Sequence, residues 1–227
     1  MKTLLSILFP LSVFMPVITQ KAGLSKKRPL GMKMLCVALF LSVGFLALFI
    51  REDIRPYSIG ILSALISGAI GDFLLAYKKG TNFILGAVFF SIGHLIYSFT
   101  FLTLGTLSVK SYIVPVAVIS AILTIMLLIF TKRKIRLENN RLPFIAYGII
   151  LILFLTCAVV RGVSAITEKN IIFALCLIAG GVLFSFSDML IGAKLGGMRR
   201  PKIFHYAVSY TYFSAQTLLA LSILFEH

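Results

Sequence analysis

The sequence predicts an all-α fold, a polytopic transmembrane helical bundle of eight spans within a single domain over residues 1–227. Composition and pattern together carry this reading. Hydrophobic residues make up 59% of the chain and charged residues only 13%, too few to cover the surface of a soluble fold. Mean hydropathy is +1.04. The apolar residues come in blocks of roughly 17–25, the length that crosses a bilayer as a helix. Hydrocarbon offers no hydrogen-bond partners, so only helices and closed barrels span it, and blocks this long exclude barrel strands.

The blocks lie at about 3–20, 34–50, 57–77, 83–107, 112–130, 142–160, 171–193 and 203–225. The first follows Lys2 much as a signal peptide would. Pro10 and Pro16 within it, the lack of an A-x-A site after it and the following cluster Lys21, Lys26, Lys27 and Arg28 favour a retained first helix. Cys36, Cys157 and Cys176 fall inside blocks two, six and seven. There they read as small buried hydrophobes, with no CxxC pair or disulfide framework.

The basic residues test the count. Eight spans place Lys21, Lys26, Lys27, Arg28, Lys33, Lys78, Lys79, Lys132, Arg133, Lys134, Arg136, Arg141, Lys194, Arg199, Arg200 and Lys202 on one side, 16 of the 22 Lys and Arg. Lys2, Arg51, Arg55, Lys110, Arg161 and Lys169 fall on the other. The positive-inside rule makes the first side cytoplasmic and puts both termini on the opposite face. A net charge of +15 distributed in this way fits orientation and anionic headgroups, so nucleic acid is not expected as a partner.

Seven acidic residues occur in the chain. Glu52, Asp53, Glu138 and Glu168 lie between blocks and Glu226 at the C-terminus, which leaves Asp72 and Asp188 inside spans three and seven. A carboxylate there costs about 2.5–3.5 kcal/mol on insertion scales, which marks it as a functional candidate. Each stands six residues before a lysine, Lys78 or Lys194, about 9 Å along a helix. The stretch Asp72 to Gly80 aligns without gaps on Asp188 to Gly196, as a parallel duplication of a four-helix unit would. A common helix ending, with a terminal lysine and a glycine C-cap, would give the same pattern. Spans three and seven run in the same direction, so both carboxyls are expected at one depth, toward the cytoplasmic leaflet.

Asp72 continues the i, i+4 row Gly60, Ala64, Gly68, Asp72 and Ala76, a small-residue stripe suited to close helix contact. Asp188 shares a face with Gly181, Ser185 and Gly192. Both aspartates are therefore expected to point into the bundle. Span four adds His94 and Tyr97 beside Ser91 and Ser98. Span eight sets His205, Ser209, Tyr212 and Gln216 on one polar face. Two histidines besides the terminal His227 cannot make a three-histidine zinc site. The serines flanking Asp188, Ser185 and Ser187, sit in no nucleophile-elbow pattern.

Five stretches carry a family resemblance: Ser67-Gly-Ala-Ile-Gly71-Asp72-Phe-Leu-Leu, Gly93-His94-Leu-Ile-Tyr97, Leu142-Pro143-Phe-Ile-Ala-Tyr147, Gly181-Val-Leu-Phe184-Ser-Phe-Ser187-Asp188 and Tyr212-Phe-Ser-Ala-Gln216-Thr-Leu-Leu. In that order, across spans three to eight, the chain resembles the YhhN-like integral membrane proteins, which include the eukaryotic lysoplasmalogenases. The resemblance implies hydrolysis of the vinyl ether of a lysophospholipid, lysoplasmalogen, to a fatty aldehyde and glycerophosphocholine or glycerophosphoethanolamine. It implies an endoplasmic reticulum membrane in a eukaryote and the inner membrane in a bacterium.

That chemistry suits the residues. Protonating the β-carbon gives an oxocarbenium ion that water captures, and the hemiacetal then collapses. One protonated and one ionised carboxyl serve these steps, and two aspartates in a low-dielectric pocket divide in that way. No metal or organic cofactor is required. His94, Tyr97, Tyr147, Ser187, His205, Tyr212 and Gln216 are expected to line the substrate site, with Lys78, Lys194, Arg199 and Arg200 at the lipid phosphate. Two other readings compete: a proton-coupled transporter, since paired intramembrane carboxylates also suit proton relays, and a lipid-binding membrane protein without turnover.

Overall fold

The computed structural model describes residues 2–22, 30–76, 80–103, 141–195 and 202–226. They form seven helices: α1 (Lys2–Ala22), α2 (Leu30–Arg51), α3 (Pro56–Ala76), α4 (Gly80–Thr103), α5 (Arg141–Thr167), α6 (Ile171–Leu195) and α7 (Lys202–Phe225). Six of these contain stretches long and apolar enough to cross a membrane, namely Leu30–Arg51, Pro56–Ala76, Asn82–Thr103, Ile145–Thr167, Ile171–Gly192 and Phe204–Phe225. The chain is thus a polytopic helical bundle. Helix α1 carries a shorter apolar stretch, Thr3–Thr19. The fifth expected span, 112–130, lies outside the described residues, and the eight-span count needs both that stretch and α1 to cross, so six spans are what the described residues support.

Each helix from α2 to α7 packs against the next, and α7 closes on α2, so six helices make a ring. Helix α7 also touches α3 across one side of this ring, while α1 lies outside against α2 and α7. Helices α4 and α5 run the same way, because His94 and Tyr97 on one meet Tyr147 and Phe154 on the other in rising order. Helices α3 and α6 also run together. Each brings its aspartate to the end of the bundle where α2, α5 and α7 begin.

Lipid tails are as apolar as the core, so burying leucine adds little to helix association in a bilayer, and close packing and interhelical hydrogen bonds do more. The small-residue row of α3 shows the packing: a Cβ on Gly60 would collide with Thr100 Oγ1, and one on Gly93 would lie 3.3 Å from the Ala64 carbonyl. On the opposite face of α3, Ile59, Ile66, Ile70 and Phe73 are exposed, as lipid-facing side chains should be. Inside the ring Tyr97, Phe101, Phe154 and Phe184 are buried and in ring contact through Phe154.

At the far end from the aspartates, polar side chains tie the helix ends together. Arg51 bonds Asp53 at 2.7 Å and donates to the carbonyls of Ile223 and Glu226, while Arg55 holds the Glu226 carboxylate at 3.2 Å. Helix α5 ends in a Schellman-type turn, with Asn170 N–H on Ala165 O, Lys169 N–H on Ile166 O and Lys169 at φ 61°. Asn170 then caps α6, its Oδ1 accepting from Phe173 N–H at 3.3 Å, and its amide donates to Phe225 O at 2.6 Å.

Two of the differences from the expected boundaries bear on charges that are held inside the bundle. Span six was set to end at 160, with Arg161 in a loop, but α5 continues to Thr167. Arg161 stays helical and buried because Glu168 pairs with it at 2.9 Å and its guanidinium lies over the Phe173 ring. Lys33, counted with the loop charges, belongs to the first turn of α2.

Candidate functional site

Asp72 is 3% exposed on α3. Its Oδ1 lies 2.8 Å from Lys33 Nζ of α2, which also donates to the Asp72 carbonyl at 2.9 Å. The Tyr212 hydroxyl of α7 donates to Oδ2 at 2.8 Å. The chain of bonds continues inward: Gln216 Nε2 donates to the Tyr212 oxygen at 3.1 Å, and the Tyr97 hydroxyl of α4 donates to Gln216 Oε1 at 2.9 Å. Four helices thus meet on one carboxylate through groups that are themselves oriented by hydrogen bonds.

The motif residues around Asp72 explain how this fits. A Cβ on Gly68 would stand 2.8 Å from Gln216 Nε2, so only glycine lets α7 bring its amide so close to α3. One on Gly71 would meet the Phe90 ring at 2.8 Å. The glycines place the backbone of α3 against α4 and α7 and leave Asp72 in the seam.

Asp188 is 8% exposed on α6. The Tyr147 hydroxyl of α5 donates to its Oδ2, and His94 Nε2 of α4 lies 3.6 Å from the same oxygen. His94 Nδ1 is 2.7 Å from the Phe90 carbonyl, which can only accept, so the proton on that ring sits on Nδ1. Nε2 then faces Asp188 as a lone pair, and it makes no hydrogen bond among the described residues.

Aromatic rings join the two halves. His94 packs edge-on to Phe154 at 4.8 Å and Phe184 at 4.6 Å, and Phe184 meets the Tyr212 ring at 5.4 Å. Asp72 and Asp188 therefore sit on neighbouring sides of one buried apolar box. The packed rings exclude bulk water from between two carboxyls that stand in different settings.

The structure gathers Asp72, Asp188, His94, Tyr97, Tyr147, Tyr212 and Gln216 from the expected residues. Ser187 is buried elsewhere, its hydroxyl donating to the Val208 carbonyl at 3.2 Å. One residue from Asp188 is about 100° around a helix, which turns Ser187 toward α7. His205 is exposed near the start of α7, so only the inner half of the expected polar face is buried with the aspartates. Lys78, Arg199 and Arg200 lie outside the described residues. Lys194 is in the last turns of α6, with its side chain likewise not described.

Sequence reasoning missed Lys33 and the aromatic box of Phe90, Phe154 and Phe184. The signal for Lys33 was its setting, Met32-Lys33-Met34, at the edge of an apolar run and apart from the preceding basic cluster. No curated protein and no protein of solved structure matches the chain. The model of the YhhN family matches residues 28–223.

Proposed function

The chain belongs to the YhhN family, and we propose that it is a membrane lipid hydrolase of lysoplasmalogenase type, cleaving a vinyl ether by aspartate acid–base catalysis. The observation that carries this reading is the unlike setting of two buried carboxyls. Asp72 has a lysine ammonium and a tyrosine hydroxyl upon it, and Asp188 has a tyrosine hydroxyl and a histidine lone pair. Acid–base cleavage of a vinyl ether needs a proton donor and a proton acceptor, which two carboxyls in different protonation states can supply. A salt bridge and a tyrosine hydrogen bond hold Asp72 in place, and another tyrosine hydrogen bond holds Asp188, which favours positioning for chemistry over a mobile proton relay.

In the proposed reaction one carboxyl delivers a proton to the β-carbon of the vinyl ether. The carbon–oxygen carbon becomes an oxocarbenium ion, which water attacks as the second carboxylate takes its proton. The hemiacetal collapses to a fatty aldehyde and the alcohol of the glycerophospho headgroup. The hydrocarbon chain lies among the apolar rings, and the phosphate stays at the end of the bundle where Lys33 begins α2.

The test is purified protein in detergent with lysoplasmalogen in heavy water. The proposal expects fatty aldehyde carrying one solvent-derived deuteron on the carbon next to the carbonyl. Product without that deuteron excludes carbon protonation, and a protein inert on ether and ester lysolipids alike excludes the hydrolase reading.

A further inference from the structure

We propose that Lys33 fixes the division of labour in the pair, holding Asp72 as the ionised base so that Asp188 carries the proton as the acid. The inference deepens the vinyl ether reading and rests on it for the identity of the substrate. It stands on the inventory of donors and acceptors around each carboxyl. Both groups on Asp72 donate, the Lys33 ammonium to Oδ1 and the Tyr212 hydroxyl to Oδ2. A carboxylate accepts both, whereas a carboxylic acid would turn its own hydrogen against one of them.

Asp188 is surrounded differently. Among the described residues its donor is the neutral Tyr147 hydroxyl, on Oδ2, and the cation-capable group beside it is His94, whose Nδ1 proton is committed to the Phe90 carbonyl. Its Nε2, 3.6 Å from Oδ2, repels an ionised Asp188 and attracts a protonated one. Protonating His94 would satisfy the geometry too, but it would bury two charges at a separation too long for a tight pair, among Phe154 and Phe184. One proton held by the carboxyl and facing the imidazole avoids that cost.

The cycle balances with these roles. Asp188 gives its proton to the β-carbon, and the oxocarbenium ion forms. Water adds to it and its proton passes to Asp72, giving the hemiacetal. On collapse Asp72 returns that proton to the departing ether oxygen while the Asp188 carboxylate takes the hydrogen of the hemiacetal hydroxyl. Asp188 is then protonated and Asp72 ionised, as at the start. Lys33 exchanges no proton in this cycle; it acts through Asp72 and is a positioning residue.

Two measurements test this. Infrared spectroscopy of the substrate-free protein reads the carbonyl stretch of a protonated carboxylic acid, which an ionised carboxylate lacks. The proposal expects an intramembrane band that Asp188→Asn removes and Asp72→Asn leaves, and that Lys33→Arg does not alter. Absence of the band, or its loss in Asp72→Asn alone, overturns the assignment whatever the substrate is. On lysoplasmalogen, Lys33→Met is expected to lower kcat by about 10²–10⁴-fold, the usual worth of a general base, with KM held and Lys33→Arg restoring most of the rate. A raised KM with unchanged kcat would make Lys33 a phosphate anchor and overturn its positioning role. A wild-type protein inert on this lipid sinks the vinyl ether reading, and the infrared bands still decide the assignment.

Discussion

Lys33, on the first turn of α2, and Asp72, near the end of α3, form an ion pair at 2.8 Å that is only 23% exposed on the lysine side and 5% on the aspartate side. A buried carboxylate without a partner would be costly in a bilayer, and this pair offsets part of that cost for Asp72. Asp188, on the parallel helix α6, has a tyrosine and a histidine in place of the lysine. The difference between the two sites comes from which helices flank them, since both aspartates end similar apolar segments.

The two tyrosines are the first places to probe. Tyr212→Phe and Tyr147→Phe each remove one hydroxyl from a carboxyl and keep the ring contacts of Tyr212 with Phe184 and of Tyr147 with His94. A hydrogen bond to a charged group is worth about 1.5–3 kcal/mol, so each variant is expected to lose about tenfold to a hundredfold in rate. Aldehyde-release kinetics on folded, monodisperse variants check this. Unchanged rates in both would remove the tyrosines from the site.

Gly68 and Gly148 make a matched comparison. A methyl at Gly68 would lie 2.8 Å from Gln216 Nε2 and would push that amide out of the bond chain to Tyr212. A methyl at Gly148 has nothing within 4 Å. Gly68→Ala is expected to lower both activity and the thermal midpoint in detergent. Gly148→Ala should leave activity intact and leave stability equal or higher, since alanine is the better helix former by up to about 1 kcal/mol.

The loop end of the bundle has its own pH signature. The Arg51 hydrogen bond, helped more weakly by Arg55, holds the Asp53 carboxyl from an ordinary 3.8 down to about 2, against an opposing effect of burial that is smaller than that of Arg51. A lowered folded value means the stabilisation is present above 3.8 and is lost as pH falls toward about 2. The stability gap between wild type and Asp53→Asn is therefore expected at neutral pH and should close across that window. Because Asp53 is 44% exposed the gap is small, and salt should shrink it further. Thermal midpoints at several pH values measure it.

The aspartates were legible in the sequence because each is the one carboxyl in its span, and the small-residue row pointed Asp72 inward. Their partners were not legible. Tyr212 is 140 residues from Asp72, and nothing local says that α7 crosses the ring to touch α3. Periodicity put His205 on the same face as Tyr212 and Gln216, but a face does not say how far along it burial extends, and His205 lies at its exposed end. Lys33 was lost to a rule that works: a lysine at the edge of an apolar run reads as topology, and its second role appears only when α3 is laid beside it.

The central claim is that Asp72 and Asp188 together cleave a vinyl ether. Its most direct test is aldehyde release from lysoplasmalogen by purified wild type, Asp72→Asn and Asp188→Asn, each shown to be monodisperse. Release by the wild type and a loss of at least about 10²-fold in each variant is the expected result. Undiminished release in both variants would contradict the claim.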